Sequence, residues 1–186
     1  IGGYNVSTRT KKGAEVIGDI FPKLGIVPGT LIAPGFSHIP AVNTALTAKS
    51  QLIYSLFSCK VVSDIDSSGD GADSIDKVKE WKNKNAYSDR RTFAVWPKVN
   101  VDGYVYYFSA QLAALLQRLA ADNGGVPSES CDNKGLKISG LVLEDGTEIM
   151  FDMDEANDYI NANGVITAVN IDGFLAWGSN TSVYPQ

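Results

Sequence analysis

The chain is poor in the residues that most often carry chemistry: it has one histidine, His38, and two cysteines, Cys59 and Cys131. The two cysteines share no metal-ligand spacing, and a lone histidine cannot complete a zinc site with them. Both are expected to be free thiols of a reducing compartment. Basic residues are also short, 16 Lys and Arg against 21 Asp and Glu for a net charge of −5. That balance leaves no cationic face for a phosphate backbone and excludes nucleic acid as the expected partner. No apolar run approaches the roughly 18 residues of a membrane span, so no membrane partner is expected. No charged-then-apolar leader precedes Ile1-Gly2-Gly3-Tyr4, and an opening of that kind reads as a piece of a longer protein. What remains is a composition of 44% hydrophobic and 20% charged residues over 186 positions. It fits one domain, 1–186, with a substantial core.

Hydrophobic spacing organises that domain. Val16, Ile17, Ile20, Phe21 and Leu24 recur at helical spacing until Pro22 and Gly25 stop them. Thr30 to Ala33, closed by Pro34-Gly35, is too short for a helix and reads as a buried strand. Pro40 suits a first helical turn, and Val42, Leu46, Ile53 and Leu56 extend the spacing toward Phe57. The pattern repeats: Cys59 to Ile65 is rich in β-branched residues, and Ala72 to Asn85 reads as an amphipathic helix around Ile75, Val78 and Trp81. Thr92 to Trp96 is a third apolar strand. Ser109 to Asp122 is the clearest helix, with Leu112, Leu115, Leu116 and Leu119 on one stripe and Asn123-Gly124-Gly125 to end it. Alternation of this kind predicts an α/β fold whose sheet is mostly parallel, with helices on both faces. Beyond Gly125 the reading is β-rich: a hairpin of Leu136–Leu143 and Glu148–Phe151 about Asp145-Gly146, a short helix from Asp154 to Asn161, then strands Val165–Val169 and Phe174–Trp177 joined by Asp172-Gly173.

Four stretches raise chemical possibilities. Gly35-Phe36-Ser37-His38-Ile39 places a serine beside the only histidine at a strand-to-helix turn. A nucleophile turn needs a small residue two places after the serine, where Ile39 stands, and a triad histidine approaches from elsewhere in the fold. Ser37 and His38 therefore read as a surface loop with a helix-start serine. Asp64, Asp66 and Ser68 fall at positions one, three and five of a calcium loop, with Gly69 at the sharp turn, but Ile75 occupies the closing position where a glutamate belongs. A polar connection is the simpler account. Asp152, Asp154 and Glu155 open a helix, where the macrodipole favours acids without any catalytic pairing. Tyr104, Tyr106, Tyr107 and Phe108 form an aromatic cluster suited to packing or to anchoring a partner. No catalytic, cofactor-binding or metal-ligating set can be assembled.

Three stretches together resemble one family, the tail sheath proteins of contractile bacteriophages, prophages and related injection machines. Phe21 to Gly29 followed by Leu31-Ile32-Ala33-Pro34-Gly35 is similar to the family's opening strand. The strand ending at Trp96-Pro97 falls where sheath proteins carry an apolar strand closed by proline. Most specific is Tyr159-Ile160-Asn161-Ala162-Asn163-Gly164-Val165-Ile166-Thr167, leading to Gly173, Trp177-Gly178 and Thr181. Asn180 stands where the family has arginine, and the turn after the long helix is spread over Pro127 to Asn133. The resemblance implies the subtilisin-like central domain of a sheath subunit, with the N-terminal arm and C-terminal domain outside this chain. It further implies a non-enzymatic virion part without cofactor. Such a subunit is assembled in the host cytoplasm and contacts other sheath subunits in hexameric rings, a tail tube protein, and baseplate and terminator proteins. Without its arms the chain is expected to be monomeric. The rival readings are a hydrolase or ligand-binding enzyme using the end of the sheet, and a binding module decorating a particle.

Overall fold

The computed structural model describes residues 1–185. The β-branched and apolar runs form the strands of a six-stranded sheet. Its first four members in space are β3 (Thr30–Ile32), β4 (Lys60–Asp64), β5 (Thr92–Val95) and β11 (Val165–Asn170), all parallel. β12 (Phe174–Trp177) and the short β8 (Lys134–Gly135) continue the sheet antiparallel. A smaller antiparallel sheet runs in the order β10 (Glu148–Ile149), β9 (Gly140–Val142), β6 (Lys98–Val101), β7 (Tyr104–Tyr106). A separate hairpin of β1 (Gly2–Asn5) and β2 (Thr10–Gly13) precedes both.

Alternation along each parallel strand sends residues to opposite faces, and both faces are covered. Val62, Phe93, Val95 and Ile166 pack with Phe108, Leu112, Leu115 and Leu119 of α4 (Phe108–Asp122) and with Val99 and Leu141 of the small sheet. On the other face Leu31 and Val61 meet Leu46 of α2 (Pro40–Gln51). Ala94, Trp96 and Val165 meet Val78 of α3 (Lys77–Lys84) and Ile160. Each such apolar side chain contributes about 1.5–3 kcal/mol on burial, so the leucine stripe of α4 is a principal fastening of the fold. The α/β reading with helices on both faces and a hairpin-containing C-terminal part is what the structure shows.

Several boundaries differ from the expected ones. The helical stretch before Gly25 is a 3-10 turn, Ala14–Asp19, continued by a short α1 (Ile20–Leu24). β3 is an edge strand rather than a buried one, so Leu31 is covered while Ile32 stays 40% exposed. α2 stops at Gln51, because Ile53 pairs with Phe57 across a tight loop in which Tyr54 and Ser55 have positive φ. α3 begins at Lys77, not Ala72, whose N–H closes the preceding loop on the Asp66 carbonyl at 2.7 Å. Leu136 does not join the β9–β10 hairpin; its N–H bonds to Phe174 and lengthens the main sheet instead. The segment from Asp154 onward is helical but mixed: α5 (Met153–Glu155), a π turn over Ala156–Ile160 and a 3-10 turn over Asn161–Asn163.

Candidate functional site

The C-terminal edge of the parallel strands is where an open α/β sheet ordinarily binds a ligand, and here it is filled by the protein's own side chains. The turn after β3 lies at the surface, with Phe36 and Ile39 exposed, but Ser37 within it is fully buried. Ser37 does not cap α2, whose first turn follows Ile39 and opens on Pro40. Its hydroxyl donates to Asp64 Oδ2 at 2.7 Å and accepts the Asp64 backbone N–H at 3.0 Å. The same Oδ2 accepts the Ser109 hydroxyl at 2.6 Å, while Oδ1 accepts the Ser109 N–H at 2.8 Å. Tyr87 closes the arrangement by donating its hydroxyl to the Ser37 carbonyl at 2.6 Å.

Asp64 thus caps α4 from a distant strand. Tyr107, the residue at the N-cap position, supplies no side-chain cap, and the Asp64 carboxylate takes over one of the N–H groups that a helix start leaves open. The positive end of a fifteen-residue helix further favours a carboxylate there. Burial pushes the Asp64 carboxyl above the usual carboxylate range, opposed by the hydrogen bonds from Ser109 and Ser37. Burial likewise raises the Tyr87 hydroxyl above its usual value. Both Ser37 oxygen functions are committed to Asp64 and the serine has no exposed surface, so no nucleophile is presented. His38 does not complete a triad: its ring stacks on Tyr107 at 5.6 Å, and Lys98 sits 4.0 Å from the centroid of that same tyrosine while pairing with Glu144.

The other sequence candidates resolve into local structure. Asp64 faces Ser37 and Ser109 rather than a calcium loop, and Asp66 accepts the Ser68 N–H at 3.0 Å in a tight turn. The position requiring glycine is Gly71, not Gly69: a Cβ there would lie 2.5 Å from the Asp66 carbonyl. No group of three or more Asp, Glu, His or Cys side chains among the described residues could hold a metal ion. Asp152 and Glu155 form a reciprocal capping box, each side chain accepting the other's backbone N–H at 2.8 and 3.0 Å. The aromatic cluster is divided: Phe108 is core, while Tyr104 is 70% exposed on the edge strand β7. Cys59 and Cys131 are buried free thiols, and burial raises both, Cys131 to about 11.

The residues that carried the family resemblance come together at a second place. Gly164 turns the chain at φ 66°, and a Cβ there would stand 2.5 Å from the Tyr184 carbonyl and 2.8 Å from that of Thr181. Gly178, at φ 104°, lies against the Asn161 side chain, and the Trp177 indole donates to Asn157 Oδ1 at 2.9 Å. The C-terminal segment so positioned is tied down by Ser182, whose N–H bonds to the Thr92 carbonyl at 2.7 Å and whose hydroxyl accepts the Asp89 N–H at 2.9 Å. Lys82, buried on α3, reaches the carbonyls of Asn163 at 2.5 Å and Tyr184 at 2.9 Å, and burial lowers its pKa to about 8. Lys82 was missed from sequence because an amphipathic helix places most lysines in solvent. Ser109 was read only as the start of a helix, and the available signal was a carboxylate closing an apolar strand.

No protein-family model matches this sequence, and no curated protein is similar to it. Solved structures do share its fold. A chain of the anti-feeding prophage helical sheath in its contracted state, solved by cryo-EM, superposes with a TM-score of 0.55 at 12% identity. That match covers 89% of this chain and 42% of the other. A chain of the six-fold-symmetrised anti-feeding prophage baseplate gives a TM-score of 0.52 at 15% identity over 91% of this chain and 42% of its own length. The chain spans about two fifths of the length of the structures it matches. Its fold is therefore the one found within a contractile helical sheath.

Proposed function

We propose that the chain is the central α/β domain of a contractile sheath subunit, a structural rather than catalytic part. The observation that carries this reading is the fold shared with a contracted helical sheath over 89% of the chain. The clustering of Asn161, Gly164, Trp177 and Gly178 in one packed corner supports it, since these residues carried the resemblance by sequence. In this reading identical subunits form six-membered rings stacked helically around a tail tube, between a baseplate and a terminator, in a particle assembled in the bacterial cytoplasm. A heterologous, non-closing interface turns such copies into a tube, and contraction exchanges one packing of rigid bodies for another.

A rigid body is what the buried polar network provides. Ser37, Asp64 and Ser109 lock the β3–α2 loop, the end of β4 and the start of α4 together. A hydrolase would need that serine free for attack; its hydroxyl is instead spent on Asp64. The isolated chain is expected to be monomeric at micromolar concentration by light scattering, and a stable oligomer would contradict that.

The reading is tested by negative-stain electron microscopy of the intact gene product, with and without its tube protein. Hollow striated tubes are expected from the intact product and none from the 186-residue chain; an intact product that never forms tubes would overturn it.

A further inference from the structure

The face of the main sheet covered by α2 and α3 holds two apolar clusters, not one. Leu31, Leu46 and Val61 belong to the first, and Val78, Ala94 and Trp96 to the second. Between them runs a polar seam. The Asn43 side-chain oxygen accepts the Ser63 hydroxyl of β4 at 2.7 Å, and the Thr47 and Thr92 hydroxyls meet at 3.2 Å. A cleft of about 300 Å³ opens on that seam, between α2 and the loop that joins α3 to β5. Small-ligand sites run from about 300 to 1,000 Å³, so the space suits a small molecule.

Asn43, Thr47 and Gln51 present one stripe of α2 to the cleft, each four residues after the last. Ser88 and Asp89 line it from the loop. Its apolar lining residues are Ala48 and Ala86, whose side chains are too small to fill it. Three polar groups there are unspent. Asn43 is 5% exposed, yet its side-chain nitrogen donates to no group among the described residues. A polar side chain buried to that degree ordinarily has its hydrogen bonds made. The Ser88 hydroxyl also has no partner among the described residues. Asp89 Oδ1 accepts the Arg91 N–H at 2.7 Å, but Oδ2 meets only the Gln51 amide, at 3.4 Å.

The free groups are of both kinds, a donor on Asn43 and an acceptor on Asp89, and no Lys, Arg or His lines the cleft. An ammonium ion would satisfy Asp89 and leave Asn43 without an acceptor. A phosphate or carboxylate would satisfy Asn43 and face Asp89 with like charge. A hydroxyl both donates and accepts, so neighbouring hydroxyls of one molecule can serve both residues. We propose that the cleft binds a small neutral polyhydroxylated ligand, a sugar or polyol, with one hydroxyl donating to Asp89 Oδ2 and another accepting from Asn43 Nδ2.

The test is ¹H–¹⁵N correlation NMR of the chain titrated with glycerol, ribose, glucose and N-acetylglucosamine. At least one of these should give saturable shifts at millimolar concentration, read at the Asn43 side-chain amide and at the Ser88 and Asp89 backbone amides. Methylammonium and acetate should give none there. Asp89→Asn keeps an acceptor for the Arg91 N–H and turns the second oxygen into a donor, so it should weaken binding about tenfold. Ala48→Leu, at an exposed helical position, fills the cleft and should abolish binding. Each variant is first shown to be folded by circular dichroism. Neutral probes that give no saturable shift, shifts indifferent to both substitutions, or saturation by either ion while the neutral probes stay silent would overturn the proposal.

Discussion

The C-terminal end of the parallel sheet and the N-terminal hairpin place their polar groups in opposite surroundings. At the sheet end a carboxylate and two serines are buried, and the Asp64 carboxylate is matched by three donors within 2.8 Å. In the hairpin, apolar and charged groups stand in solvent with no core beneath them. Removing a partner from the first leaves buried polar groups unpaired, which costs far more than the hydrogen bond itself was worth. Removing a side chain from the second uncovers none of the body's hydrophobic clusters. One region is built to stay as it is; the other stands outside the core clusters.

The contrast is broken most severely at Asp64. Asp64→Ala strands two hydroxyls and the Ser109 N–H, and should cost about 3 kcal/mol, which lowers Tm by about 10 °C in a chain of this size. Asp64→Asn, which keeps an acceptor for the α4 N–H, should cost about half as much. Calorimetry on both variants checks the order, and equal losses would show that charge rather than hydrogen bonding holds the helix start.

A somewhat smaller effect is expected at the packed corner. Gly164→Ala demands a left-handed alanine with its methyl against two carbonyls, a change of about 2 kcal/mol. The strain should release the C-terminal segment, so hydrogen exchange at the Ser182 amide, bonded to Thr92, should quicken more than exchange in α4. Uniform quickening would mean that the segment is not an independent clamp.

Lys82 gives a pH test. Its folded pKa, lowered by burial to about 8 from 10.5, means the folded state releases a proton before the unfolded state does. Stability should therefore rise as pH increases from about 8 toward 10.5 and be lost as pH falls through 8. The buried thiols act with the opposite sign, because a raised pKa gives stability that disappears as pH rises through the folded value. The difference between wild type and Lys82→Met cancels the thiols, and the wild type should gain on the variant between pH 7 and pH 10. A flat difference would show the ammonium to be stabilised by the Asn163 and Tyr184 carbonyls as well as it is by water.

The smallest effect belongs to the hairpin. Tyr4→Ala or Val6→Ser should change stability by less than about 0.5 kcal/mol in calorimetry. A marked loss of Tm would place the hairpin in the body's core and remove the comparison.

The alternation of strands and helices was legible because burial on both faces leaves short apolar runs separated by one-sided helices, and the leucine stripe of α4 is the plainest case. Edges and ends were less so. Thr30–Ile32 is as apolar as a central strand although it lies at the sheet's margin, and the spacing of Ile53, Leu56 and Phe57 imitates a helix that a strained loop replaces. The Ser37-His38 pair drew attention for the wrong reason: what matters at that turn is a hydrogen bond to Asp64, 27 residues away in sequence. Long-range polar pairing leaves no period in a sequence, which is why Ser109, Tyr87 and Lys82 escaped notice. Gly164 and Gly178 were visible as motif members, and their reason, close approach of backbone and side chain, needed the fold.

The most direct test of a scaffold at the sheet end is the double variant Ser37→Ala/His38→Ala in the intact gene product, imaged by electron microscopy and assayed for hydrolysis of ester and amide substrates beside the wild type. The account predicts a lower Tm, because Ser37→Ala leaves the Asp64 carboxylate and N–H each a partner short, with tubes of the wild-type helical repeat below that temperature and no difference in hydrolysis. A hydrolytic activity present in the wild type and lost in the variant would contradict it.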